Sequence, residues 1–297
     1  MVSQIVGAYL VEQGVMTRGQ LLIVNKERRR IRASLGLVAI SEGLMSADEV
    51  KEVNEALEAD GHLSDLGFAD YVVEKEYLSK GQVRSLAGKQ SDSFLCFAQA
   101  LEKQGIIGLE ALEAMILESP LVGNEMELED LKSDNSNNII PLFIPAGAEK
   151  YIDIAEAAMY FLNRRVDANI YPQKAYVTGQ LKIANGVSQY AEGEKEYFIA
   201  LAAANAELAT VAGCYMSERY EEVDEEVLEL VGGILNTISS SYIAELAQDH
   251  VLDDLAQPQA YMQVNEITAE EMLVLPLVVK YETFYLVISM AKDIKIV

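Results

Sequence analysis

The chain has 297 residues, 23 of them Lys or Arg and 47 Asp or Glu, for a formal net charge of −24 that both halves share: 13 against 23 in residues 1–140 and 10 against 24 in 141–297. A field of that sign repels phosphate backbones and anionic lipid heads, which argues against nucleic acid and a membrane surface as partners. Cys96 and Cys214 lie far apart and His62 and His250 are isolated, so the sequence offers neither a disulfide framework nor a metal-ligand spacing, and no cofactor is expected.

No apolar run approaches the length of a membrane span, and the N-terminus lacks a charged-then-apolar leader. A cytoplasmic protein without membrane insertion is the expectation. The length suggests two domains. The basic run Lys26, Arg28, Arg29, Arg30 and Arg32 reads as the solvated end of a helix.

Taken in chain order, the first 131 residues repeat themselves. Val6-Gly7, Leu10-Val11, Gly14, Val15-Met16 and Leu21 recur as Leu35-Gly36, Ala39-Ile40, Gly43, Leu44-Met45 and Val50. A third copy runs Phe68-Ala69, Val72-Val73, Glu76, Tyr77-Leu78 and Val83, and a fourth Phe97-Ala98, Leu101-Glu102, Gly105, Ile106-Ile107 and Leu112. The offsets of 29, 33 and 29 are those of a duplicated pair. Each unit reads as helix, turn, helix: a Gly closes the first helix in the left-handed conformation, and Thr17, Ser46 or Ser79 caps the second. One unit cannot bury its apolar face alone, so the four stack into an all-helical domain.

This repeat resembles the N-terminal domain of type II secretion and type IV pilus assembly ATPases, the MshEN type. Some members of that family bind cyclic di-GMP through an Arg just before the Leu-Gly pair. The matching positions here are Ile5, Ser34, Gly67 and Cys96. With no Arg among them, a protein-binding or spacer module is expected, and a cyclic di-GMP-responsive module is the alternative.

The acidic, Asn-rich stretch that follows places a domain boundary in Lys132–Asn138 and a linker over 132–145, with the second domain over 146–297. There, Tyr151–Val166 reads as an amphipathic helix. Ala175–Ala184 and Glu196–Ala203 read as two paired strands with a Gly186–Gly193 loop between them. Helices follow over Glu207–Ser217 and Glu225–Gln248, then strands over Gln259–Val264, Met272–Tyr281 and Phe284–Met290, the last two joined at Glu282-Thr283. The whole is α+β: a helical repeat domain followed by an α/β sandwich with an antiparallel sheet.

In the long helix, Val227, Leu230, Val231, Ile234, Leu235, Ile238, Tyr242, Ile243 and Leu246 form an apolar stripe, and Asn236 lies off it. That helix, the order of elements and Pro258 beyond it resemble the CheC/CheX chemotaxis phosphatases. Their ExxN signature puts the Asn at Asn236, while the Glu position is Gly233. The resemblance implies an aspartyl-phosphate phosphatase of response regulators, in which the Asn amide holds the attacking water and the Glu pairs with a Lys of the regulator. Asn236 is thus the candidate catalytic residue, and Glu229, with Glu226 a turn earlier, a displaced substitute for the missing acid. The implied partner is a phosphorylated receiver domain, with a homodimer formed through the sheet. A non-catalytic adaptor using the same surface, linked to pilus or secretion machinery, is the alternative.

Overall fold

The computed structural model describes residues 2–62, 64–119, 139–192, 196–246 and 254–297. The expected boundary at Lys132–Asn138, His250 and the side chain of Leu246 lie outside what is described. The chain divides into two compact units, Val2–Asp134 and Asn135–Val297.

The described part of the first unit is helical throughout: α1 (Val2–Glu12), α2 (Arg18–Arg28), α3 (Leu35–Ser41), α4 (Ala47–Ala59), α5 (Asp65–Glu74), α6 (Lys80–Lys89), α7 (Ser93–Lys103) and α8 (Leu109–Leu117). These are the four expected pairs. Thr17, Ser46 and Ser79 each accept a bond from the backbone three residues on, and Gln20, Glu49 and Gln82 reach back to the cap nitrogen, so three capping boxes open α2, α4 and α6. Gly14, Gly43 and Gly105 take φ of +70°, +64° and +64° at the ends of α1, α3 and α7. In the third unit the same place is filled by Glu76 at φ +61°, a conformation strained for a residue with a Cβ.

The duplication is also visible in polar contacts. Arg28 donates to Ser3, and Gln90 Nε2 donates to Asp65 Oδ2 at 2.7 Å; 62 residues separate both Ser3 from Asp65 and Arg28 from Gln90. Gln90 Nε2 also bonds the Ala33 carbonyl at 2.8 Å, which ties the second pair to the first. The basic run sits at the end of α2, as expected, with Arg28 drawn into this contact.

The second unit is a curled antiparallel sheet backed by helices. Its strands are β1 (Tyr171–Pro172), β2 (Tyr176–Lys182), β3 (Asn185–Glu192), β4 (Tyr197–Ala203), β5 (Asp254–Leu255), β6 (Gln259–Met262), β7 (Glu266–Val279), β8 (Glu282–Ser289) and β9 (Lys295–Ile296). The central order is β1-β7-β8-β4-β3; β5 and β6 both pair with β3, and β2 and β9 both pair with β7. One face buries Ile199, Leu201, Leu275 and Leu286 against α9 (Ile152–Phe161), α10 (Glu207–Met216) and α11 (Glu225–Leu246). Alternate residues Phe198, Ala200, Val274 and Val287 form a second core on the other face with Leu181 and Ile267. β2 contributes Leu181 to that face, and two extra residues of β7 bulge out between the pairs Thr178↔Met272 and Gln180↔Thr268.

Several expected details are corrected. Apart from one bond from the Ala184 amide to the Ala203 carbonyl at 2.8 Å, Ala175–Ala184 is not paired with Glu196–Ala203: β2 pairs with β7, while β4 lies between β3 and β8. The expected loop Gly186–Gly193 is mostly strand β3. Its Gly, Ser and Gln content looks loop-like, yet the ring of Tyr261 covers Gly186, and Gln189 finds polar partners across the core face. The β7–β8 turn is Lys280-Tyr281, at φ +46° and +73°, and Glu282 already pairs with Val279. Neither turn residue is the Gly or Asn that announces such a turn, and β7 begins six residues earlier than its expected start at Met272. Glu225–Ala244 is long and apolar enough to cross a membrane by length and composition, contrary to expectation. Its apolar stripe is instead buried against the sheet and helices of this unit.

Candidate functional site

Helix α11 starts where Asp224 Oδ1 accepts the amide of Val227 at 2.9 Å, a cap that the sequence does not single out. Val227, Val231, Ile234, Leu235 and Ile238 are buried, so the helix can turn in only one way. That rotation leaves Glu226, Glu229, Gly233, Asn236 and Ser240 exposed in a strip along its outer face. The candidate residues therefore share one face, although they are spread along it. Glu229 precedes Asn236 by seven residues, about 10 Å of helix axis, so the structure does not bring the two together.

Gly233 is a bare point in this strip, since a Cβ built there meets nothing within 4 Å. It is not a packing glycine. Gly232 beside it is buried, and a Cβ there would touch Pro258 at 3.5 Å and Val187 at 3.7 Å. The chain through Ala256–Pro258 thus runs beside the helix at the level of Gly232 and Asn236. At the start of the strip, the Tyr220 hydroxyl lies 3.5 Å from Glu226 Oε1 and 3.4 Å from Glu218 Oε2. Desolvation, then those carboxylates, push the Tyr220 phenol above its usual range.

Asn236 is exposed but anchored. Its Oδ1 accepts a hydrogen bond of 2.8 Å from Nε2 of Gln189, whose other proton goes to the carbonyl of Ala256 at 2.9 Å. Gln189 is 1% exposed and projects from β3 on the face of Val187 and Ala191, toward the helix. Gln189 is not among the residues the sequence singles out; its signal there is a polar residue at an inward position of an alternating segment whose Gly, Ser and Gln content predicts a loop.

Among the described residues no group of three or more His, Cys, Asp or Glu is arranged to hold a metal ion. Cys96 and Cys214 are both unbridged, and burial raises both thiols.

No family model matches the chain, and no curated protein matches it. Solved structures do. A CheC-like superfamily protein from Shewanella sp. PV-4 is 18% identical, with 46% of this chain and 93% of that one covered, at a TM-score of 0.40. The chemotaxis protein CheX from Vibrio vulnificus is 17% identical over 48% of this chain and 98% of that one, at 0.41. A CheX–CheY–BeF3–Mg2+ complex from Borrelia burgdorferi gives 18% identity over 48% and 95%, at 0.38. At such identities and scores the likeness assigns neither family nor activity. The resemblance of the N-terminal repeat to the MshEN domain receives no support from these structures.

Proposed function

We propose that the C-terminal unit recognises the phosphorylated receiver domain of a response regulator through the exposed strip of α11, and that Asn236 acts at the acyl phosphate. The observation that carries this reading is an exposed side-chain amide, held in place by Gln189, at the ExxN asparagine position of a helix otherwise buried on its apolar stripe. An anchored amide at the entrance to a receiver's pocket holds a water in line with phosphorus. The water oxygen attacks phosphorus, the aspartyl carboxylate leaves as the P–O bond to it breaks, and inorganic phosphate departs as dihydrogen phosphate with both of the water's protons. Positioning is most of what such a step requires, because the receiver brings its own metal ion and charge stabilisation.

Gly233 favours a second reading of the same surface, binding without hydrolysis. The position that would pair with a receiver lysine has no side chain, and Glu229 is displaced from it by a turn.

The test uses the full chain and a panel of receiver domains phosphorylated with acetyl phosphate. The expected result is tighter binding of the phosphorylated form and faster loss of its phosphate, with Asn236→Ala abolishing the acceleration while nearly sparing binding. Tighter binding with no acceleration selects the adaptor. Equal treatment of phosphorylated and unphosphorylated receivers overturns both readings.

A further inference from the structure

We infer that Gln189 is a positioning residue that sets the polarity of the Asn236 amide, so that the strip presents a hydrogen-bond donor to its partner. The inference rests on the proposed receiver reading and adds to it which atom of Asn236 does the work. The orientation follows from one contact. The Ala256 carbonyl can only accept, so the atom of Gln189 that faces it at 2.9 Å is the amide nitrogen. That same nitrogen lies 2.8 Å from Asn236, and its second proton therefore meets the Asn236 oxygen. With Oδ1 turned inward, the exposed end of Asn236 is its NH2 group. It suits acceptors: the oxygen of a bound water, or a phosphoryl oxygen.

Gln189 also has the energetic profile of a group kept for its geometry. Its own Oε1 is buried with no hydrogen-bond partner among the described residues, and an unpartnered buried carbonyl costs stability. Gln189→Met removes that cost but leaves the half-buried Ala256 carbonyl without its donor, so the two changes oppose each other and the variant should still fold, while releasing Asn236 to rotate.

The test combines a partner-free measurement with a double-mutant cycle on the full chain. In side-chain amide NMR, the Asn236 NH2 should be rigid in the parent and should fall below an order parameter of about 0.6 in Gln189→Met. With phosphorylated receiver, Gln189→Met should slow phosphate release about tenfold, the rate equivalent of one well-made hydrogen bond, and should have no further effect in an Asn236→Ala background. A role of Gln189 in folding alone would instead lower the thermal midpoint and weaken receiver binding in step with the rate, in the Asn236→Ala background as in the parent. Asn236→Asp gives a third arm: it keeps an acceptor for Gln189 but turns an anionic oxygen outward, so it should lose at least as much rate as Asn236→Ala with the thermal midpoint unchanged. An Asn236 amide as mobile in the parent as in Gln189→Met, or a rate loss in Gln189→Met matched by an equal loss of receiver binding, overturns the inference while leaving the receiver reading in place. An Asn236→Ala protein indistinguishable from the parent toward receivers overturns that reading instead, whatever the NMR arm shows.

Discussion

Thr237 donates its hydroxyl to the carbonyl of Gly233 at 2.8 Å, one turn back along α11. The bond steadies the backbone at the one point of the exposed strip that has no side chain. Two adjacent glycines inside a helix each cost about 1 kcal/mol relative to alanine, and Gly233 gains nothing in return, because no atom outside the helix approaches it.

Replacing Gly233 by Glu should thus raise stability by about 0.5–1 kcal/mol in chemical denaturation, since glutamate is a good helix former entering open space. It also supplies the acid of the ExxN pattern, so phosphate release from a receiver should rise. A Gly233→Glu protein that folds, binds phosphorylated receivers and still shows no rate effect would leave the adaptor reading in possession of the site.

Glu76 occupies the left-handed position that Gly14, Gly43 and Gly105 fill in the other repeats. Glu76→Gly should stabilise the N-terminal unit by about 0.5–1 kcal/mol, because the strain of a Cβ at positive φ outweighs the extra freedom glycine has when unfolded. Gly43→Val should do the reverse, by about 1 kcal/mol or more. Thermal melts of the full chain followed by circular dichroism would compare the two, and a loss of stability in Glu76→Gly would show that the side chain is retained for a contact worth more than the strain.

The three capping boxes differ in one respect that pH exposes. Bonds from the backbone and side chain of Ser46 hold the Glu49 carboxyl below its usual range, whereas Gln20 and Gln82 do not titrate. A carboxyl depressed in the folded state contributes stability that is present above its unfolded pKa and is lost as pH falls through its folded value. The difference in melting temperature between the parent and Glu49→Gln should therefore be constant near neutrality and should shift toward the variant below about pH 4.5. A pH-independent difference would mean that the box is not closed in solution.

Gly186 lies under the ring of Tyr261, and a Cβ there would come within 2.7 Å of Tyr261 Cε2 and 2.9 Å of the Leu201 carbonyl. Part of this obstruction is backbone and cannot swing aside. Gly186→Ala should cost about 1–3 kcal/mol and should loosen β6 from β3, which hydrogen exchange at Ala260 and Met262 would report. Unchanged protection would indicate that the sheet absorbs the methyl group by shifting its register.

The helical half was legible because its signals are local. Capping pairs three residues apart, a glycine after three of the four short helices and an apolar spacing of three and four all act within one turn or the next, so a repeated pattern yields a repeated structure. The stripe on α11 likewise determined which residues of that helix face water, and with them the exposure of Asn236. What the linear chain does not carry is pairing. β2 finds β7 between Lys182↔Glu266 and Tyr176↔Val274, far along the chain, and the glycine and glutamine of β3 are accommodated by Tyr261, Asn236 and the Ala256 carbonyl, which arrive from later segments. A buried Gln is costly until such partners are placed, and nothing near it in sequence shows that they will be. The exposure of Asn236 could be read from its helix alone. Its partner, and so the direction in which its amide points, was decided only when strand, helix and loop came together.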